Sequence, residues 1–272
     1  MKLAPLIALL YLLTSDALLA ATLETRSLRV VSLDYCADQF VLKLLPRSRI
    51  LAVSPDAKKS FSYMRESADG VRQVRPIAED ILIIQPDLIV RSYGGGSYAV
   101  TFFERAGVPV LQVPVVDSID AVRNAVLFIS EGLGELERGE AVVAEMDQRL
   151  SAIRNSSSKR NALYMTPSGV TSGPGTLVHD MLLAAGLMNF EEKTGWRPIP
   201  LERLAYEQPD VVAAAFFDSR TNNPALWSAM RHPVARRQLG ERPTVMLQGA
   251  WTSCGGWYLL DAIEALASDE TK

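Results

Sequence analysis

Histidine and cysteine are scarce in this chain, with two of each in 272 residues, and that scarcity removes several kinds of function. His179 lies within an expected helix and His232 just before Pro233, so a receptor gripping bare zinc or manganese with its own side chains would lack ligands. No metal site and no cofactor are expected. Charge of one sign is also lacking: 28 Lys and Arg stand against 31 Asp and Glu, a formal charge of -3, which favours neither nucleic acid nor an anionic membrane surface. Neither the P-loop spacing nor the G-x-G-x-x-G order occurs, and Gly94-Gly95-Gly96 reads as a flexible turn rather than a phosphate cradle. No nucleophile, base and orienter fall into a recognisable elbow, so no catalytic residues are expected.

An apolar run over residues 3–13 follows Lys2, is broken by Thr14, Ser15 and Asp16, and precedes the small residues Ala20 and Ala21. It is shorter than the roughly 20 residues a spanning helix needs. It reads as a secretory signal, residues 1–21, cleaved near Ala20 or Ala21, and implies a periplasmic protein. No cysteine follows closely enough for lipid attachment.

What the chain does contain is a duplication. Residues 75–90, RPIAEDILIIQPDLIV, return at 197–212 as RPIPLERLAYEQPDVV. Glu79 stands eight positions before Asp87 and Glu202 eight before Asp210, with one extra residue earlier in the second copy as the only slip. A short helix starting near Glu79, stopped by Pro86 and followed by a buried strand, accounts for the spacing. Two copies in one register point to two similar lobes.

In chain order the pattern predicts strands at 28–33, 50–54, 88–90 and 108–113, with helices at 34–45 and 100–106 between them. A helix capped by Asp117 or Ser118 follows, and then a long amphipathic helix over 135–155, ending at a small-polar run. The second lobe repeats the scheme: strand 161–166, loop 167–175, helix 176–185, the duplicated unit, strand 244–247 and helix 255–267. Alternating strands and helices imply parallel sheets with right-handed crossovers. The expected fold is therefore α/β: two Rossmann-like lobes, residues 22–134 and 156–272, with central parallel sheets joined by one long α-helix at 135–155. Ligands on such sheets sit beyond the carboxyl ends of the strands.

This arrangement, with SLDYCADQ after the first strand, GTLVHDMLLAAGL and TSCGGWYLLDAIEAL, resembles the periplasmic substrate-binding proteins of cobalamin and ferric-siderophore ABC importers, along essentially the whole mature chain. The resemblance implies a solute-binding protein, expected as a monomer, that captures cobalamin or an iron chelate between its lobes and delivers it to the permease dimer in the inner membrane. It also implies that an exposed glutamate on each lobe, Glu79 and Glu202, docks onto permease arginines. Read from the residues, both are first-turn carboxylates that complement a helix dipole.

Aromatic residues gather in loops expected to face the cleft: Tyr35, Tyr63, Tyr93, Tyr98, Trp196, Phe217 and Trp251. Flat rings suit a large planar macrocycle or a catecholate complex. Phe216, continuing a strand, reads as core. Arg91, Arg197 and Arg220 could meet an anionic chelate. Cys36 and Cys254, one per lobe on the cleft side, are either a disulfide in an oxidising compartment or helix-start thiols touching ligand. The alternative function is an exported two-lobe α/β enzyme, an oxidoreductase or hydrolase.

Overall fold

The computed structural model describes residues 28–153, 160–215 and 228–268. The expected signal segment, the run 155–158, Phe216, Phe217 and Arg220 lie outside the described residues.

The first lobe is built on four parallel strands, β1 (Val30–Ser32), β2 (Ile50–Ala52), β3 (Leu88–Arg91) and β4 (Val110–Gln112), in the order β2-β1-β3-β4. The second holds β5 (Asn161–Met165), β7 (Met188–Asn189), β9 (Val211–Ala215) and β10 (Thr244–Leu247), also parallel, in the order β10-β9-β5-β7. Traversed from its other edge, that sheet has the order of the first, with β5 standing for β1 and β9 for β3. The central strands β1, β3 and β9 are buried at every residue, which is why they carry apolar runs rather than alternation.

The duplicated segment supplies the strand that enters beside the first in each lobe, and its aspartate has a structural task. The Asp87 carboxylate accepts the Arg29 backbone N–H and Nε, both at 2.9 Å. Asp210 accepts the Asn161 backbone N–H at 2.7 Å. Each aspartate thus ties the start of one central strand to the start of its neighbour. Pro86 and the left-handed Gln85, φ 48°, end the preceding helix, because a proline ring disfavours helical backbone before it.

Helix α1 (Tyr35–Leu44) is capped by Asp34, which accepts the Ala37 N–H at 2.9 Å, and buries Ala37, Phe40, Val41 and Leu44. Short helices α2 (Ala78–Leu82) and α3 (Ala99–Arg105) flank β3. Ser118 caps α4 (Ile119–Gly132). Helix α5 (Leu136–Ile153) runs for 18 residues, about 27 Å at 1.5 Å per residue, and buries Val142, Met146, Leu150 and Ile153 along one stripe. In the second lobe Thr176 caps α6 (Leu177–Ala184), α7 (Leu201–Leu204) belongs to the duplicated unit, and α8 (Pro233–Glu241), α9 (Gly249–Thr252) and α10 (Leu259–Ser268) complete the chain.

Two expectations need correction. The stretch 167–175 is not all loop: β6 (Val170–Ser172) pairs antiparallel with β8 (Trp196–Pro198), Thr171 opposite Arg197. The close approach rests on Gly173, where an added Cβ would sit 1.8 Å from the Lys193 carbonyl oxygen. The second Arg-Pro therefore lies in a strand where the first does not. The final helix begins at Leu259 rather than 255, since two consecutive glycines make a poor helix start and Gly255 is packed against Val116 of the first lobe.

One apolar core runs through both lobes, from Phe40 and Val90 through Met146 and Leu150 to Tyr164, Leu260 and Ile263. Each sheet covers its outer face with a smaller cluster of its own, around Ile89 and Phe103 in one lobe and Leu163 and Val212 in the other.

Candidate ligand-binding cleft between the lobes

The carboxyl ends of the two sheets face a common cleft, and the loop after β3 is fixed there by one side chain. Asp34, buried at 4% exposure, uses Oδ1 to cap α1 and Oδ2 to accept the N–H groups of Ser92, Tyr93 and Gly94 at 2.7, 3.0 and 2.8 Å. Gly94 must be glycine here, because a Cβ would meet the Leu33 carbonyl oxygen at 2.5 Å. Gly94→Ala is expected to dislodge this loop and lower the melting temperature by several degrees, measured by thermal denaturation; an unchanged midpoint would show that the loop yields freely.

Four residues after Asp34, Asp38 is fully buried and accepts from the Ser32 hydroxyl, the Ser54 N–H at 3.0 Å and the Ser54 hydroxyl at 2.6 Å. Burial outweighs these donors and pushes its pKa up to about 7. Gln39 accepts the Met64 N–H at 2.7 Å and donates to Ser62 at 3.0 Å. The inward polar face of α1 thereby anchors the segment around Phe61 and Tyr63.

Tyr35 is the hub of an aromatic group, with Phe61 at 4.9 Å and Tyr93 at 6.0 Å between ring centroids, both edge-on. Burial, ahead of the nearby Asp34 charge, raises the Tyr35 phenol; burial does the same at Tyr93. Both remain neutral hydrogen-bonding phenols at physiological pH. Beside them Cys36 is bonded to Cys254 with the Cα atoms 5.6 Å apart, so of the two readings of these cysteines the structure has the disulfide. It joins the lobes at the cleft.

Beside that bond opens an apolar cavity of about 380 Å³. Val115 and Val116, following β4, form one wall; Trp196, Trp251 and Leu177 form the other, with Cys254 in the lining. Asp117 is the only ionisable side chain among its described lining residues. A larger groove, about 650 Å³, lies on the outer face of the second lobe among Glu191, Glu192, Arg197, Glu202 and Arg203. The smaller cavity is the better candidate, because it is apolar, lies between the lobes and sits beyond the strand ends.

The structure therefore brings together Tyr35 with Tyr93, and Trp196 with Trp251, around the disulfide. It does not bring Tyr98 into the cavity. Gly95 and Gly96, both at φ 80°, turn the chain away, and Tyr98 lies against Pro76, Ile77 and Phe102 in a separate groove near α2. Tyr63 is committed to a clasp between the lobes: its ring stacks on Tyr258 at 4.8 Å and its hydroxyl donates to Asp261 at 2.9 Å. Burial first, and that bond second, push the Tyr63 pKa up to about 12. Arg149 of α5 closes the clasp by donating to Asp261 and Glu264 at 2.7 Å. Arg91 is likewise absorbed, buried and donating to the Gly94 and Gly96 carbonyls, while Arg197 lines the outer groove. Sequence reasoning missed Asp34, Asp38, Phe61 and the Val115–Val116 wall; the SLDYCADQ motif contained the first two without exposing their partners.

A family model described as periplasmic binding protein matches residues 30–234, well over half of the chain. The chain belongs to the periplasmic binding protein family. Among curated relatives of this periplasmic binding protein is a cobalamin-binding protein of Halobacterium salinarum, 26% identical over 216 residues, 76% of this chain and 58% of the relative. The chain thus spans little more than half the length of that relative. Solved structures with the same fold include the heme-binding protein RhuT of Roseiflexus (TM-score 0.68, 21% identity, covering 89% of this chain and 99% of the other). The vitamin B12 binding protein BtuF of Vibrio cholerae also has it (TM-score 0.64, 17% identity, 89% and 96% covered). The family and these neighbours are binding proteins rather than enzymes, and membership implies export. No helix among the described residues is long and apolar enough to cross a membrane.

Proposed function

We propose that this protein, directed to the periplasm by its N-terminal signal, works as a monomer that captures cobalamin or a related corrinoid between lobes 22–134 and 156–272. In this reading it then delivers the ligand to an ABC importer permease in the inner membrane. The observation that carries the ligand class is the chemistry of the cavity: two tryptophans and aliphatic walls, one carboxylate, and no cation among its described lining residues. Such a surface favours a ligand that brings flat apolar area and no net negative charge. The anionic ferric siderophores and haem, also compatible with the family, would leave their carboxylate or catecholate oxygens unpaired there. The cobalamin-binding relative supports the same choice. Because 380 Å³ holds only part of a macrocycle, the remainder of the ring extends beyond the cavity.

Calorimetric titration with cobalamin, cobinamide, haem and a set of ferric siderophores tests this. Corrinoids are expected to bind best, and Trp251→Ala to weaken them roughly 30-fold, as loss of a central aromatic anchor costs about 2 kcal/mol. If nothing bound better than about millimolar, equivalent to ~4 kcal/mol, the receptor reading would be wrong.

For delivery, Glu79 and Glu202 are the docking residues. Both are exposed in the first turns of α2 and α7, and in each lobe the neighbouring arginine is engaged elsewhere: Arg75 by Asp80 at 2.7 Å, Arg203 by Glu192 and Glu207 at 2.9 and 2.7 Å. These two carboxylates are thus left to a partner. Replacing both with lysine is expected to abolish uptake in cells while ligand affinity in solution stays nearly constant, since rim charges mainly steer encounter. Normal uptake by the double variant would remove the docking assignment.

A further inference from the structure

The cleft is crossed by one covalent bond besides the main chain, and its position gives it a task beyond holding the fold. Cys36 is the second residue of α1, whose start is pinned by Asp34 to the loop carrying Tyr93. Cys254 stands between α9, which carries Trp251, and α10. Both ends of the disulfide are therefore seated on elements that place cleft aromatics, and Cys254 itself lines the cavity. The other cross-lobe contacts beside the cavity are non-covalent: Ser253 donates to the Phe61 carbonyl at 2.9 Å, the Ile119 N–H reaches Asp180 at 3.3 Å, and Val116 fills the space that a side chain on Gly255 would occupy. Helix α5 and the Tyr63–Asp261–Arg149 clasp hold the lobes together further along the same interface.

We infer that the Cys36–Cys254 disulfide positions the two walls of the ligand cleft, fixing the spacing of Val116 from Trp251 and so the affinity for the bound ring. The inference rests on the ligand-capture reading for its affinity component only. When the bond is cut, Gly255 and Val116 are free to separate and the cavity widens while α5 keeps the lobes attached. A ring that touched both walls then touches one at a time. Cys36 and Cys254 are half-buried rather than sealed in the core, so a small reductant reaches the bond in the folded protein.

The test uses the native mature protein before and after treatment with a water-soluble phosphine, which delivers two electrons to the disulfide and leaves as the phosphine oxide, water supplying the oxide's oxygen and the two thiol protons; thiol titration verifies two new thiols. Acrylamide quenching of tryptophan emission reads the cleft without ligand, since Trp196 and Trp251 line it whereas Trp257 is buried at 5% exposure; the emission of Trp227, which lies outside the described residues, is removed by carrying a Trp227→Phe version through the same reduction. Cobinamide titration reads affinity, and far-ultraviolet circular dichroism verifies that the fold is kept. Reduction is expected to raise quenching and weaken cobinamide binding at least tenfold, with C36S/C254S reproducing both effects and showing no further response to phosphine. Should that variant not fold, reduction of the folded native protein still decides. Quenching and affinity within twofold of the oxidised protein, with both thiols titrated, would overturn the inference. If quenching rises but neither redox form binds any corrinoid, the positioning role stands and the ligand assignment fails.

Discussion

Asp34→Ala is expected to destabilise the protein by about 3–5 kcal/mol, more than the loss of any single hydrogen bond would. The carboxylate serves four backbone donors, the N–H groups of Ala37, Ser92, Tyr93 and Gly94, in a site with 4% exposure. Removing a helix cap costs about 1 kcal/mol, and each buried donor left without a partner adds roughly 1–3 kcal/mol, less what water recovers. Asparagine presents one acceptor oxygen rather than two, so Asp34→Asn keeps either the cap or the loop contacts and should fall between wild type and alanine. Urea denaturation followed by circular dichroism gives the stabilities. The same variants should loosen Tyr93 and weaken ligand binding in the same order. A stability for Asp34→Ala within 1 kcal/mol of wild type would mean that the loop after β3 is held by something else.

The architecture was legible because it depends on local signals. Parallel strands announce themselves as short charge-free runs, and the runs at 88–90, buried throughout, and 244–247, an edge strand, match the observed strands nearly residue for residue. Duplication of the Glu-to-Asp unit disclosed the two lobes, and the observed Asp87–Arg29 and Asp210–Asn161 ties give that duplication a physical basis. The cleft was legible only in part. Aromatic residues in loops mark candidates, but a loop's direction depends on contacts far along the chain. Gly95 and Gly96 carry Tyr98 out of the cleft, and Asp261, nearly two hundred positions away, captures Tyr63. The buried carboxylates were invisible for the same reason. Asp34 and Asp38 look like ordinary N-terminal helix residues until Ser92 and Ser54, 58 and 16 positions on, are folded against them. Their number and type are written in the sequence, whereas their partners are a property of the tertiary fold.

Asp38 makes the stability of the protein depend on pH in a direction opposite to that of most carboxylates. Burial, with a smaller contribution from the neighbouring Asp34 charge, raises its pKa from 3.8 to about 7 despite donors from Ser32 and Ser54. Between those values the folded chain holds a proton that the unfolded chain has released, so stability falls as pH rises. The contribution of this group is fully present below about pH 4 and lost as the pH passes through about 7. A shift of this size, at 1.36 kcal/mol per pH unit, corresponds to something on the order of 4 kcal/mol. Glu264, whose pKa is lowered by its hydrogen bond to Arg149, pulls the other way at acid pH. The difference between wild type and Asp38→Asn therefore isolates the effect better than either curve alone. The asparagine has no charge to bury, and the serine hydroxyls can turn to accept from its amide. Relative to wild type, Asp38→Asn should gain stability steadily from pH 4 to pH 7 and hold a constant margin above it, measured by urea denaturation at fixed ionic strength. A difference curve that is flat over that interval, or that slopes the other way, would show that Asp38 is ionised in the folded protein well below pH 7.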